Sequence, residues 1–315
     1  MTYRCRRKLM RKSTIFGAIA AAWLAALALP ALAQEQPEFA TDSEGKACQV
    51  IPKAGYAITK PGRYCLTHDL FMQWRGENLN APIHSVIYLL SADVVLDLNG
   101  FTIGYRQVNP LVSPNGGSGI DQTNVTLRNV VIRNGKISRF QRGIKLPLSS
   151  NAELEGALER WNREYPEFFK KNQISITIED ITFEDNKVDA YLFGRDIVLR
   201  HNKFLHKGLS ERQREDWSGN PIGQPNSYAA VIIHGQKSEI ADNQFELSGP
   251  VRGLPFAFVY VYDGDGLSVH HNTFINRSDQ SASTHGIAFR NTTQFSLEEN
   301  KFQGLDGSVL KLPSF

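Results

Sequence analysis

Apolar and polar positions alternate in short runs along most of this chain. In its second half these runs share one phrase: an apolar residue, two polar ones, then Asn-x-Phe. The copies end at Asn202 and Phe204, Asn243 and Phe245, Asn272 and Phe274, and Asn300 and Phe302, with spacings of 41, 29 and 28 residues between the asparagines. A phrase recurring at such intervals marks a repeat architecture. Each copy is too short for a helix and its apolar neighbours have a period of two, so the pattern predicts a β-solenoid. Asparagine suits the turn because it tolerates the left-handed backbone and can hydrogen-bond along a stack. The phenylalanine two residues on is expected to point inward onto the next one.

A second apolar strand lies ahead of each Asn-turn: Ala230 to His234, Ala257 to Tyr262 and Gly286 to Arg290. Weaker earlier copies are Ser85 to Leu90, Gly119 to Ile120, Gly143 to Leu146 and Asp189 to Phe193, and Ser308 to Leu312 begins a last one. The pattern predicts roughly seven coils and a stub, each coil being strand, turn, strand, Asn-turn, strand, with neighbouring coils supplying the core that one coil cannot bury alone.

The repeats across residues 85–312 resemble the right-handed parallel β-helix proteins typified by pectin and pectate lyases. A lead-in, Ile58 to Leu66 followed by Val94 to Ile103, resembles the segment that opens bacterial members. The resemblance implies an all-β, single-stranded right-handed parallel β-helix with an Asn-turn ladder, and a first-strand face that holds an extended sugar chain. It selects no single chemistry, because this scaffold hosts lyases, hydrolases, epimerases, phage fibres and non-catalytic proteins.

Charge changes the picture once the N-terminus is read. Residues 1–33 have the anatomy of a secretory signal peptide: Arg4, Arg6, Arg7, Lys8, Arg11 and Lys12, an apolar stretch from Ile15 to Leu29, and a small-x-small site at Ala31 to Ala33. An uncleaved anchor is the alternative. Cleavage after Ala33 removes six of the 35 basic residues and none of the 32 acidic ones, so the net charge becomes 29 − 32 = −3. The basicity leaves with the leader, which argues against nucleic acid as a partner. The expectation is a periplasmic or secreted protein with no membrane insertion after signal removal. Cys48 and Cys65 remain, an even pair in an exported chain. They read as a disulfide stapling a cap segment, residues 34–84, ahead of the β-helix at 85–315, or as two free buried thiols.

Function on repeat folds gathers at insertions. Residues 104–118, 205–227, 247–256 and 275–284 all fall at one corner, and 147–173 rises from the opposite rim, with Leu154, Leu158 and Trp161 at helical spacing for a short helical insertion. The first-strand face is therefore expected to be walled as a cleft. Alternation points Val231 and Ile233 inward, and sends His234, Tyr260, Tyr262, Arg290, Tyr191 and Lys145 outward, with His285 opening one strand. Rings such as Tyr191, Trp161 and Trp217 stack on sugar faces, while Lys145 and Arg290 pair with uronate carboxylates. Two functions fit. One is a polysaccharide lyase on an anionic, uronate-containing chain, with Arg290 or Lys145 neutralising the carboxylate, His234 abstracting the proton, and Tyr260 or Tyr262 protonating the leaving group. The other is a non-catalytic carbohydrate-binding or envelope protein. Asp263 and Asp265, separated by glycine, read either as a tight turn or as part of a Ca2+ site; no cofactor is otherwise indicated. His270 and His271 occupy the Asn-turn corner and read as a solvated turn. Polygalacturonase and alginate-epimerase signatures are missing, and no zinc-type spacing follows the leader.

Overall fold

The computed structural model describes residues 37–74, 85–107, 117–122, 127–146, 175–207, 228–249, 256–262, 264–278 and 283–312. The expected leader, most of the expected insertions, Trp161, Trp217 and Asp263 lie outside these residues. Among the described residues every regular element is a strand.

The strands form two sheets. One has nine strands, in the order Tyr56–Ile58, Ser85–Leu89, Ser118–Gln122, Arg142–Leu146, Val188–Arg195, Tyr228–Gln236, Phe256–Tyr262, Thr284–Arg290 and Gly307–Lys311. Each neighbour pairs in parallel with the next strand along the chain that returns to this face. The other sheet has sixteen strands and two branches, which share Val130–Ser138 and Ile176–Glu184. One branch ends in Leu267–His270 and Phe295–Glu298, the other in Thr273–Asn276 and Lys301–Gln303. An all-β chain of parallel sheets, visited in turn, is compatible with a parallel β-helix.

The interior is apolar: Ile, Val, Leu and Phe side chains from both sheets form one buried cluster. Phe183, Phe204, Phe245, Phe274 and Phe302 stack in sequence, with ring centroids 4.9, 4.5, 4.7 and 5.0 Å apart. Beside them, Asn202 N and Nδ2 both donate to Asn243 Oδ1, at 2.9 and 3.0 Å, and Asn243 and Asn272 do the same to the next asparagine. These asparagines do not take the left-handed backbone expected of them. The residues before them do: His201, Asp242, His271 and Glu299 have φ of 56°, 55°, 57° and 52°. The chain reverses one position earlier, which turns the asparagine inward, where its amide serves as donor and acceptor at once.

The first strands are held by chemistry of a different kind. Phe39–Thr41 pairs antiparallel with Ala47–Val50, and Cys48 is bonded to Cys65 on Gly62–Cys65, with Cα atoms 5.7 Å apart. The disulfide expected from the cysteine count is present, and it suits an oxidising compartment. Asp42 and Glu44 in the intervening turn engage Arg63 and Arg133. Buried Asp97 accepts hydrogen bonds from Ser43, Asn99, Asn134 and Arg133. Parallel pairing begins inside residues 34–84, since Tyr56–Ile58 and Gly62–Cys65 already join the two parallel sheets.

Candidate functional site

The outer surface of the nine-stranded sheet carries three rows of side chains. Register places Tyr88, Asp121, Lys145, Tyr191, Ile232, Tyr260, Ala288 and Leu310 in one row. Phe193, His234, Tyr262 and Arg290 form a second. The third holds Arg142 beside Ser118 and Val188, and, further along, His285 beside Ala257 and Gly307. It exists because two consecutive residues of a strand face the interior, as Ala230 with Val231 and Phe258 with Val259, so that Ala229 and Ala257 fall outside with Ile232 and Tyr260. Strict alternation would have put Ala229 and Ala257 inside.

Outward does not mean solvent-exposed. Val188, Tyr191, Ile232, Tyr260, Tyr262 and Ala288 form a second buried cluster, joined by Leu310 and Leu312. His234 is 5%, Tyr260 2% and Arg290 3% exposed. The expected open strip of polar side chains is corrected here: His234, Tyr260, Tyr262 and Arg290 are buried, and the rings pack against one another. His234 stacks on Tyr262 at 4.5 Å, Tyr260 and Tyr262 lie 4.0 Å apart, and Tyr191 meets His234 edge-on at 6.0 Å. Such contacts gain more from burying aromatic area than from leaving it wet. Burial pushes the His234 imidazole down to about 3. It pushes the Tyr262 phenol up, helped by Tyr260. His234 Nε2 is buried with no hydrogen-bond partner among the described residues.

A different end of the face is partly open. Lys145 and Asp121 keep 18% and 11% of their side-chain surface, with Lys145 Nζ 3.8 Å from Asp121 Oδ2. Ser85 Oγ donates to the same oxygen at 3.2 Å, while Asp121 Oδ1 has no partner among the described residues. Burial raises the Asp121 carboxyl against the opposing pull of Lys145 and Ser85. Burial lowers Lys145, opposed by Asp121 and reinforced by Arg142. Arg142 is lowered by burial too, with Tyr191 and Asp121 pulling the other way. Tyr191 is pushed up to about 12 by burial, and Arg142 opposes that rise. Among the described residues no carboxylate lies within ion-pair distance of Arg142. Among the described residues this end therefore holds two cations and one carboxylate.

Sequence reasoning placed Lys145 and Tyr191 on this face but passed over Asp121 and Arg142 as site residues. Asp121 follows a weak strand signal, and only the register that sets it beside Lys145 reveals it. His285 is half-buried, and its Nε2 lies 2.8 Å from Ser283 Oγ. Asp265 is exposed and accepts from Thr293 Oγ1 at 2.9 Å. Among the described residues no group of three or more His, Cys, Asp or Glu side chains converges as a calcium site would need.

No family model matches this chain, and no curated protein matches it. Among solved structures it is similar to the Streptococcus pneumoniae surface protein and adhesin PfbA, at 11% identity over 84% of this chain and 91% of that one, with a TM-score of 0.27. So low a score supports no inference about fold or function.

Proposed function

We propose that this chain is an exported, single-stranded right-handed parallel β-helix of about seven coils that holds an anionic, uronate-containing polysaccharide on its nine-stranded face. The observation that carries this reading is the partly open cluster of Arg142 and Lys145 around one carboxylate, Asp121. Its surplus positive charge, in a poorly hydrated setting, matches a sugar carboxylate better than a neutral sugar. Binding is favoured over turnover at His234. A general base works best with a pKa near the working pH, and that imidazole is held at about 3 within a closed aromatic cluster.

Elimination at Asp121 and Lys145 is the second reading, favoured by one feature: burial moves these two neighbours' proton affinities toward each other. Lys145, neutral, would then take the ring proton, Arg142 would neutralise the uronate, and protonated Asp121 would give its proton to the glycosidic oxygen as its C–O bond breaks. Titrating the full chain with polygalacturonate, alginate and a neutral dextran, while following unsaturated-product absorbance with and without Ca2+, separates the readings. Binding to the uronates without product supports the first; product formation lost in Lys145→Ala supports the second. Equal affinity for dextran would sink both.

A further inference from the structure

The turn before Asn272 carries two adjacent histidines that the sugar-binding face does not use. His270 ends Leu267–His270, and His271 takes the left-handed turn at φ 57°. The backbone of both is fixed from several sides. Asn272 Nδ2 donates to His270 O at 2.9 Å, Asp242 N donates to the same oxygen at 3.2 Å, and His271 N donates to Glu298 O at 3.1 Å. On this platform the two rings stand at 88° to each other, with their Nδ1 atoms 2.9 Å apart.

Each ring turns its other nitrogen to a carboxylate. His270 Nε2 lies 3.1 Å from Glu239 Oε1, and His271 Nε2 lies 2.9 Å from Glu299 Oε2. An ionised carboxylate only accepts, so each ring donates through Nε2, which leaves the two Nδ1 atoms facing each other. At 2.9 Å the two Nδ1 atoms are close enough to share one proton, or to bind adjacent positions of one metal ion lying to the side of both. A carboxylate behind the far ring nitrogen is also how proteins orient imidazoles that bind metals. Register leaves room beside His270, because its neighbour on the preceding coil is Ala241, where the coil before that has Arg200.

We propose that His270 and His271 bind one divalent transition-metal ion through their two Nδ1 atoms, with Cu2+ preferred. Metal–nitrogen bonds of about 2.0 Å subtend about 90° when the nitrogens are this close, which suits neighbouring positions of a tetragonal ion and is too narrow for tetrahedral zinc. Water fills the remaining positions. Two nitrogens satisfy a site of this kind although no group of three metal-ligating side chains converges among the described residues. Affinity should follow the order Cu2+, then Ni2+, then Zn2+ among ions offered to one imidazole pair.

The test uses the full chain, titrated with Cu2+, Ni2+ and Zn2+ by calorimetry, with electron paramagnetic resonance of the copper form. One Cu2+ per chain with two coordinated nitrogens is expected. His270→Ala should abolish that signal, and so should His271→Asn, a change that keeps a residue tolerant of the left-handed turn. Glu239→Gln and Glu299→Gln should each weaken copper by about 10- to 100-fold through loss of ring orientation. His201→Ala, on the equivalent turn of another coil, should bind as the parent does. Copper binding that survives in the His270→Ala/His271→Asn double variant would overturn the proposal. So would a parent chain that binds no copper, the two nitrogens then holding only a shared proton.

Discussion

Asn243 shows what one residue of the repeated phrase contributes. Its Oδ1 accepts from Asn202 N and Nδ2, and its Nδ2 donates to Leu199 O at 2.9 Å and to Asn272 Oδ1 at 2.9 Å. Asn243→Ala strands a buried N–H and a buried carbonyl, so a loss of about 1–3 kcal/mol in urea-derived stability is expected for each group left unpaired. A loss well below 1 kcal/mol would mean that water replaces the amide. His234 makes a prediction in pH. Its folded value of about 3 lies below the ordinary imidazole value of 6.5, so the unfolded chain takes up the extra proton between them. The stability from keeping this ring neutral is full above about pH 6.5 and is lost as pH falls toward 3. Thermal melts from pH 7 down to pH 4 should therefore show a shallower decline in His234→Phe, which keeps a ring against Tyr262 and Phe193. Identical slopes would refute the buried neutral histidine.

At the scale of elements, much was legible in the hydrophobic pattern. The run Ala230 to His234 and its partners appear as strands of one parallel sheet, and the Asn-x-Phe phrases mark residues that hydrogen-bond and stack across neighbouring strands. Two things were not legible. The consecutive inward pair at Ala230 and Val231 breaks the period of two, which hides the third outward row that carries Arg142. Covering of the His234 and Tyr262 rings depends on packing between strands distant in sequence, which alternation within one strand does not encode. The turn between Phe39–Thr41 and Ala47–Val50 can be tested separately. Hydrogen bonds from Arg133 and then Lys46 hold the Glu44 carboxyl down at about 2. Asp42 also sits below the usual range: burial would raise it, but Arg63 and two backbone N–H groups outweigh that. Both carboxylates are depressed, so the turn's ion pairs act fully above about pH 4.5 and fail as pH falls toward 2. Reducing Cys48–Cys65 releases a 17-residue loop and should cost about 3 kcal/mol, read as a drop in the denaturant midpoint. Reduction without effect would mean that the ion pairs alone hold these strands.

At the scale of the molecule, the described residues enclose an apolar interior flanked by two surfaces of different character: a sheet face with Arg142 and Lys145 at one end, and a turn corner lined by exposed histidines and carboxylates. On the sheet face every neighbouring pair is parallel, so equivalent positions recur at about 4.8 Å from strand to strand, a regular spacing that an extended polymer can follow. On the proposed reading, Arg142 and Lys145 recognise the negative charge of such a polymer. Equilibrium binding of polygalacturonate to the parent and to the Arg142→Gln/Lys145→Gln double variant, each at low and high salt, tests this most directly. The parent should bind in a salt-sensitive manner, and the variant should lose at least about tenfold in affinity along with most of that sensitivity. Unchanged affinity in the double variant, with its fold intact by circular dichroism, would contradict the claim.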